Sequence, residues 1–278
     1  AITLAVAELN GGRSAAGLNL LNGAWCAGAI LASPVATAII SGFAVKFVFL
    51  SFAIAGLLGA VAMWLSTDDT TRVQSGTPAD SSSHAYMGLA VLTSVLLFFY
   101  VGTETSFAGW FPSWAGRLKT SGHASAVASP CFWAGILGAR LVAPVVLKGL
   151  LPSMTILIGL AISGTAGVLM LAINSPLWIA AGAGVAGFGF GAVFPTAVAM
   201  FCDSTGDSAL HFTSIIFASG ALGGATLPLA VGWTVSKSGD HRAGLAFAVC
   251  SICTMIALEI AIRRHLESPV SSPREPDV

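Results

Sequence analysis

YVGTETSFAGWFPSW, residues Tyr100 to Trp114, is the stretch whose reading decides the fold. Glu104 in its middle is the only charge between Asp80 and Arg117. Upstream, Met87 to Phe99 is almost wholly apolar; downstream lie Trp110 and Trp114, rings that favour a membrane–water boundary. At about 1.5 Å rise per residue, the run is long enough to cross a hydrocarbon layer of roughly 30 Å. This reading puts Glu104 inside a membrane, somewhat past the middle of a helix. A carboxyl there costs about 2.5 to 3.5 kcal/mol on insertion scales unless a partner, a cavity or a proton relieves it. Such a residue marks a candidate site. Tyr100 lies one turn away on the same face, where it either shares a cavity with Glu104 or points to lipid.

The composition supports the membrane class. Hydrophobic residues make up 55% of the chain and charged ones 9%, with mean hydropathy +0.87, whereas a soluble domain carries about 25% charged residues. The 32 glycines suit closely packed membrane helices. The formal charge is zero, so no basic surface points to nucleic acid. Cys250 and Cys253 form a CxxC, but no second pair or nearby His accompanies it, and small-residue packing is the better account. No HExxH, clustered His or Ser–His–Asp arrangement argues for an enzyme. Gly182, Gly184 and Gly187 spell GxGxxG with Asp203 beyond. A dinucleotide site needs a preceding strand and an amphipathic helix, and the flanks from Leu177 to Phe201 are apolar all round.

Taken in order, the chain opens with AITLAVAELN, which reads as the tail of an apolar helix and leads us to expect that earlier helices precede it. Eight spans follow: Ala15–Ile40, Phe47–Leu65, Tyr86–Trp114, Ala124–Leu147, Ser153–Ile173, Pro176–Phe201, Ala209–Val235 and Gly244–Ile262. The expected fold is an all-α polytopic membrane protein. Pro34 is expected to bend the first span, and Pro195 and Pro228 to break two later ones near glycine crossings at Gly187/Gly191 and Gly220/Gly224. Residues 67–85, rich in Ser, Thr, Asp, Gly and Pro, read as a flexible linker; the tail from Arg263 onward reads as disordered. With linker and tail on one side, that side holds Arg13, Arg72, Arg140, Lys148, Arg263, Arg264 and Arg274; the other holds Lys46, Arg117, Lys119, Lys237 and Arg242. The excess makes the linker side cytoplasmic.

Eight spans with a hydrophilic linker after the second resemble the last two-thirds of a twelve-helix transporter of the major facilitator superfamily. Three stretches carry the resemblance. YVGTETSFAGW looks like the seventh helix of the branch containing fucose permeases and sodium-dependent glucose transporter-like proteins. WAGILGARL (Trp133 to Leu141) is similar to that fold's GxxxGR, with Ala139 where Gly is usual. GFGFGAVFPTAVAM (Gly187 to Met200) and SGALGGATLPLAVGW (Ser219 to Trp233) are similar to its tenth and eleventh helices. The resemblance implies that residues 1–66 end an N-terminal bundle, 67–85 form a cytoplasmic loop, 86–266 form a six-helix C-terminal bundle, and 267–278 are a tail. It also implies a midplane site between two rocking halves and four earlier helices needed to complete the fold.

Candidate site residues follow. Glu104 would contact a solute or coupling ion, with the bland alternative a structural acid. Asn19 and Asn22 share a face, and Asn22, the deeper, either binds a polyol or ties helices together. Trp133 stacks on a sugar ring or simply packs. Arg140 is implied as a cytoplasmic gate, against plain snorkelling. Glu259 and Arg263 have the spacing and order of a stabilising helical pair. His211, at the polar end of its span, more often faces water than carries protons. The expected function is secondary transport of a small polar solute, a sugar by the branch resembled, in the plasma membrane. H⁺ or Na⁺ would be the coupling ion, with no other cofactor. The alternatives are multidrug efflux and a membrane remnant that transports nothing.

Overall fold

The computed structural model describes residues 14–42, 44–65, 83–118, 122–146, 149–173, 175–206 and 209–267. Helices α1 (Ser14–Gly42), α2 (Lys46–Leu65), α3 (Ser83–Arg117), α4 (Gly122–Val146) and α5 (Pro152–Ala172) correspond to the first five spans read from the sequence. The sixth is a broken rod, α6 (Pro176–Gly191) and α7 (Val193–Thr205), followed by α8 (Ala209–Ser238) and α9 (His241–Glu267). Among the described residues, five stretches are long and apolar enough to cross a membrane: Tyr86–Arg117, Pro152–Ala172, Leu177–Thr205, Phe212–Ser238 and His241–Glu267. Lys46–Ala62 and Val127–Ala143 are shorter apolar stretches of the same kind.

Turn chemistry sets several ends. Pro152 and Pro176 each open a helix at its first turn, where the missing N–H would be unused. Gly239, at φ 70, makes the left-handed bend between α8 and α9, and the Asp240 carboxyl accepts the Arg242 N–H at 2.9 Å to start α9. The linker and Asn174 lie outside the described residues, except that α3 already begins at Ser83.

In lipid no hydrophobic force drives helices together, so close van der Waals approach must do so. Two seams carry it. Along α4 and α6, a side chain on Gly135 would strike the Gly184 carbonyl, one on Gly187 the Phe132 carbonyl, and one on Gly191 the Ile136 carbonyl. Along α3 and α8, Gly223 lies against the Phe98 carbonyl, while Gly220 and Gly224 meet Val101. The GxGxxG glycines are thus packing positions within one helix: Gly182 sits under Met170 and Gly184 beside the Cys131 carbonyl. Around these seams α5, α9 and α1 pack outward, and α2 lies against α1 with Phe49, Leu57 and Leu65 exposed.

Four expectations are corrected. Trp114 is buried and Trp110 turns inward, its Nε1–H donating to the Pro228 carbonyl at 3.2 Å. Among the described side chains, the outward-facing tryptophans are Trp25, Trp178 and Trp233. Pro228 leaves α8 continuous, whereas the break expected from Pro195 is present beside the Gly187/Gly191 crossing, at Ala192. The α9 helix carries on through Arg263 to Glu267, because Arg263 Nε donates to Glu267 Oε1 at 2.8 Å and Leu266 packs on the core. Arg263 therefore pairs one turn forward, and the expected pair with Glu259 does not form: Glu259 is fully buried and both its oxygens lack a hydrogen bond. The Pro34 and His211 side chains lie outside the described residues.

Candidate functional site around a broken helix

The break at Ala192 builds the site. Pro195 has no N–H, so the Gly191 carbonyl four residues earlier loses its helical donor, and the proline ring crowds that carbonyl. A carbonyl left bare inside a membrane costs about as much as a lost hydrogen bond or more, so side chains must serve it. They do. Arg140 Nε donates to Gly191 O at 3.1 Å, and the Tyr100 hydroxyl lies 3.1 Å from Phe190 O. Arg140 comes from α4, held on α6 by the glycine seam; Tyr100 comes from α3.

Glu104 joins this pair. It is buried one turn along α3 from Tyr100, whose hydroxyl stands 3.2 Å from Glu104 Oε1. Arg140, 3% exposed, acts on Glu104 through space. Its Nη1 reaches back to α1, donating to the Asn22 carbonyl at 2.7 Å and to Cys26 Sγ at 2.8 Å. One guanidinium thus joins α4, the broken rod and α1. Around Tyr100 stand Phe190 and Phe194, with ring centroids at 5.3 and 5.8 Å. Phe107 extends this aromatic lining to Phe111 and Phe132.

Of the residues singled out from the sequence, Glu104, Tyr100 and Arg140 come together. Tyr100 is fully buried, so of its two readings the lipid-facing one is excluded. Asn22 enters through its backbone carbonyl. Trp133 sits one side over, edge-on to Trp25 at 4.9 Å and 79°. The Asn19 side chain lies outside the described residues. Sequence reasoning missed Cys26, although it stands four residues after Asn22 and so on the same face. It also missed Thr105. Pro228 deprives the Gly224 carbonyl of its helical donor, and Thr105 Oγ1 lies 3.4 Å from that carbonyl.

A buried carboxyl, a tyrosine and an arginine, gathered on the freed carbonyls of an interrupted membrane helix, belong to a polytopic membrane protein of transporter type. The family model described as Major Facilitator Superfamily matches residues 1–208, and the chain belongs to that family. Comparison with curated protein sequences gave no match. Among solved structures, the Major Facilitator Superfamily transporter FucP in the outward conformation matches with TM-score 0.69 and 13% identity, over 90% of this chain and 68% of that one. The E. coli fucose:proton symporter FucP, in a singly substituted form, matches with TM-score 0.70 and 14% identity, over 90% of this chain and 69% of that one. At such identity the likeness shows the fold alone.

Proposed function

We propose that the protein is a secondary active transporter of a small polar solute, a sugar as the first choice, working by alternating access and driven by H⁺ or Na⁺. The observation that carries the proposal is the sharing of one hydroxyl. Tyr100 has a single O–H, yet two acceptors stand within reach, Glu104 Oε1 at 3.2 Å and Phe190 O at 3.1 Å. If Glu104 is ionised, Tyr100 can serve only one of them, and Phe190 O keeps the Ala192 N–H but loses the hydroxyl. If Glu104 carries a proton, its O–H donates to Tyr100 and Tyr100 donates to Phe190 O, and all three are satisfied. Loading a proton on Glu104 therefore changes what holds the broken rod, which is the link a proton-driven carrier needs.

A sugar suits this site because its hydroxyls both donate and accept, and so can replace Tyr100 and Arg140 on Glu104 and on the bare carbonyls. The fold shared with a fucose:proton symporter supports that choice. Asn22 and Trp133, on the α1 side of Arg140, would complete the solute contacts, and Arg140 would act as the gate. The plasma membrane, with linker and tail cytoplasmic, is the location this reading takes. The aromatic lining of Phe107, Phe111, Phe132 and Phe190 favours a second reading, efflux of lipophilic compounds. Competition by unlabelled sugars against lipophilic cations separates the two.

The test is uptake of labelled sugars by the complete protein in vesicles with an imposed pH or Na⁺ gradient. Glu104→Gln is expected to abolish gradient-driven uptake while leaving the protein folded. Undiminished, still pH-coupled uptake by that variant removes Glu104 from the mechanism.

A further inference from the structure

A second carboxyl lies buried far from the broken rod. Glu259 is 0% exposed, and neither of its oxygens has a hydrogen-bond partner. It falls on the inward stripe of α9 formed by Ile252, Met255 and Ile262, facing α5, α3 and α8. Among the described residues, the Ser153 hydroxyl is the one polar group near enough to act on it, outside good hydrogen-bond geometry and with Met200 Sδ as a competing acceptor at 3.7 Å. The first turn of α5, capped by Leu151 with no side-chain hydrogen bond, sends no amide to the carboxyl either.

No cation meets it. No residue of α5 from Pro152 to Ala172 is ionisable. On α8 the ionisable residues are His211 and Lys237, near its two ends; on α3, at the same end of the bundle as the end of α9, they are His84 and Tyr86. On its own helix Arg263 is taken by Glu267, with Arg264 and His265 next to it. An ionised carboxylate sealed among apolar side chains with at most one hydroxyl to serve it costs many kcal/mol; a neutral acid costs far less.

We infer that Glu259 is a second proton-binding site of this protein, occupied while the seam between α5 and α9 is closed and emptied only when that seam opens to water. The ligand is the proton itself, and the site is separate from Glu104. Closing the seam takes up one proton and opening it releases one, so low pH favours the closed arrangement. The inference rests on the membrane fold alone and stands whether or not the solute is a sugar.

Infrared spectroscopy of the protein in lipid nanodiscs at neutral pH tests it. Wild type minus Glu259→Gln is expected to show the carbonyl stretch of a protonated carboxyl; carboxylate bands in that difference would overturn the inference. Gln has the shape of the neutral acid, so E259Q should fold. If it does not, Glu259→Asp keeps the acid and should shift the same band. A second readout is the melting temperature between about pH 6 and about pH 9. Wild type should lose stability as pH rises, because the closed fold then has to bury a charge or hold its proton against the solvent. E259Q should show a smaller fall, the remainder coming from the buried Glu104. A wild-type profile that matches the variant's would also overturn the inference, and neither readout depends on transport.

Discussion

If Pro195 is what frees the Gly191 carbonyl for Arg140, replacing it must weaken the need for that arginine. Arg140→Met removes a buried, charged donor from three acceptors, Gly191 O, Asn22 O and Cys26 Sγ. The Asn22 carbonyl lies inside α1 and keeps its own helical donor, so the group left orphaned is Gly191 O. Losing the charged hydrogen bonds and stranding one carbonyl should cost about 3 kcal/mol of stability. Pro195→Ala restores an N–H four residues after Gly191, and the helix can then serve its own carbonyl. In that background Arg140→Met should cost about 1 to 3 kcal/mol less, the penalty of one unsatisfied buried carbonyl. The assay is a double-mutant cycle on SDS-induced unfolding in mixed micelles, read by helical circular dichroism. A coupling of that size is roughly a fivefold to 150-fold change in the unfolding constant and is well resolved. If the two substitutions are additive within about 0.5 kcal/mol, Pro195 and Arg140 do not act through the same carbonyl, and the account of the break is wrong.

Two further outcomes follow from packing and charge. Gly187→Ala puts a methyl into the Phe132 carbonyl and should lower stability by about 1 to 3 kcal/mol or more, whereas Gly109→Ala, with nothing within 4 Å, should be neutral or stabilise by up to about 1 kcal/mol; thermal melts of the pair decide. Glu267→Gln removes the exposed partner of Arg263 and should change the melting temperature little, by no more than about 0.5 kcal/mol, with the difference vanishing in high salt.

How much of this was legible in the sequence depends on the kind of signal. The spans were, because an uninterrupted apolar run long enough to cross a bilayer has few other uses, and their ends fall within a few residues of the helices found. Glu104 with Tyr100 was legible for the same reason: a lone acid in such a run is conspicuous, and i,i+4 spacing fixes which neighbour shares its face. Spacing does not fix which way a face points. Glu259 and Arg263 have the right interval, but the stripe of Ile252, Met255 and Ile262 turns Glu259 inward and leaves Arg263 outside with Glu267. Trp110 and Trp114 misled similarly, since they continue the inward face of Phe107 and Phe111. Proline positions showed where a helix loses a donor, but the outcome depended on the neighbours. Gly224 lies against Thr105, whose hydroxyl is nearer to Val101 O at 2.7 Å, and its helix stayed whole, whereas Gly191 met an arginine from another helix and its rod parted. Those partners are distant in the chain, and no local pattern announces them.

The parted rod has a consequence for how the molecule moves. An intact helix resists bending because each turn is stitched to the next by its own backbone. At Ala192 that stitching thins to the Ala192 N–H on Phe190 O and the Thr196 N–H on Ala192 O, with two borrowed side chains added, so the stiffness of the joint is set partly from outside, by α3 and α4. On the proposed function, a proton arriving on Glu104 hands the Tyr100 hydroxyl back to Phe190 O and tightens the joint, whereas a hydroxyl-bearing guest that claims Tyr100 or Arg140 loosens it without touching the rod, and α1 is tied to the same arginine.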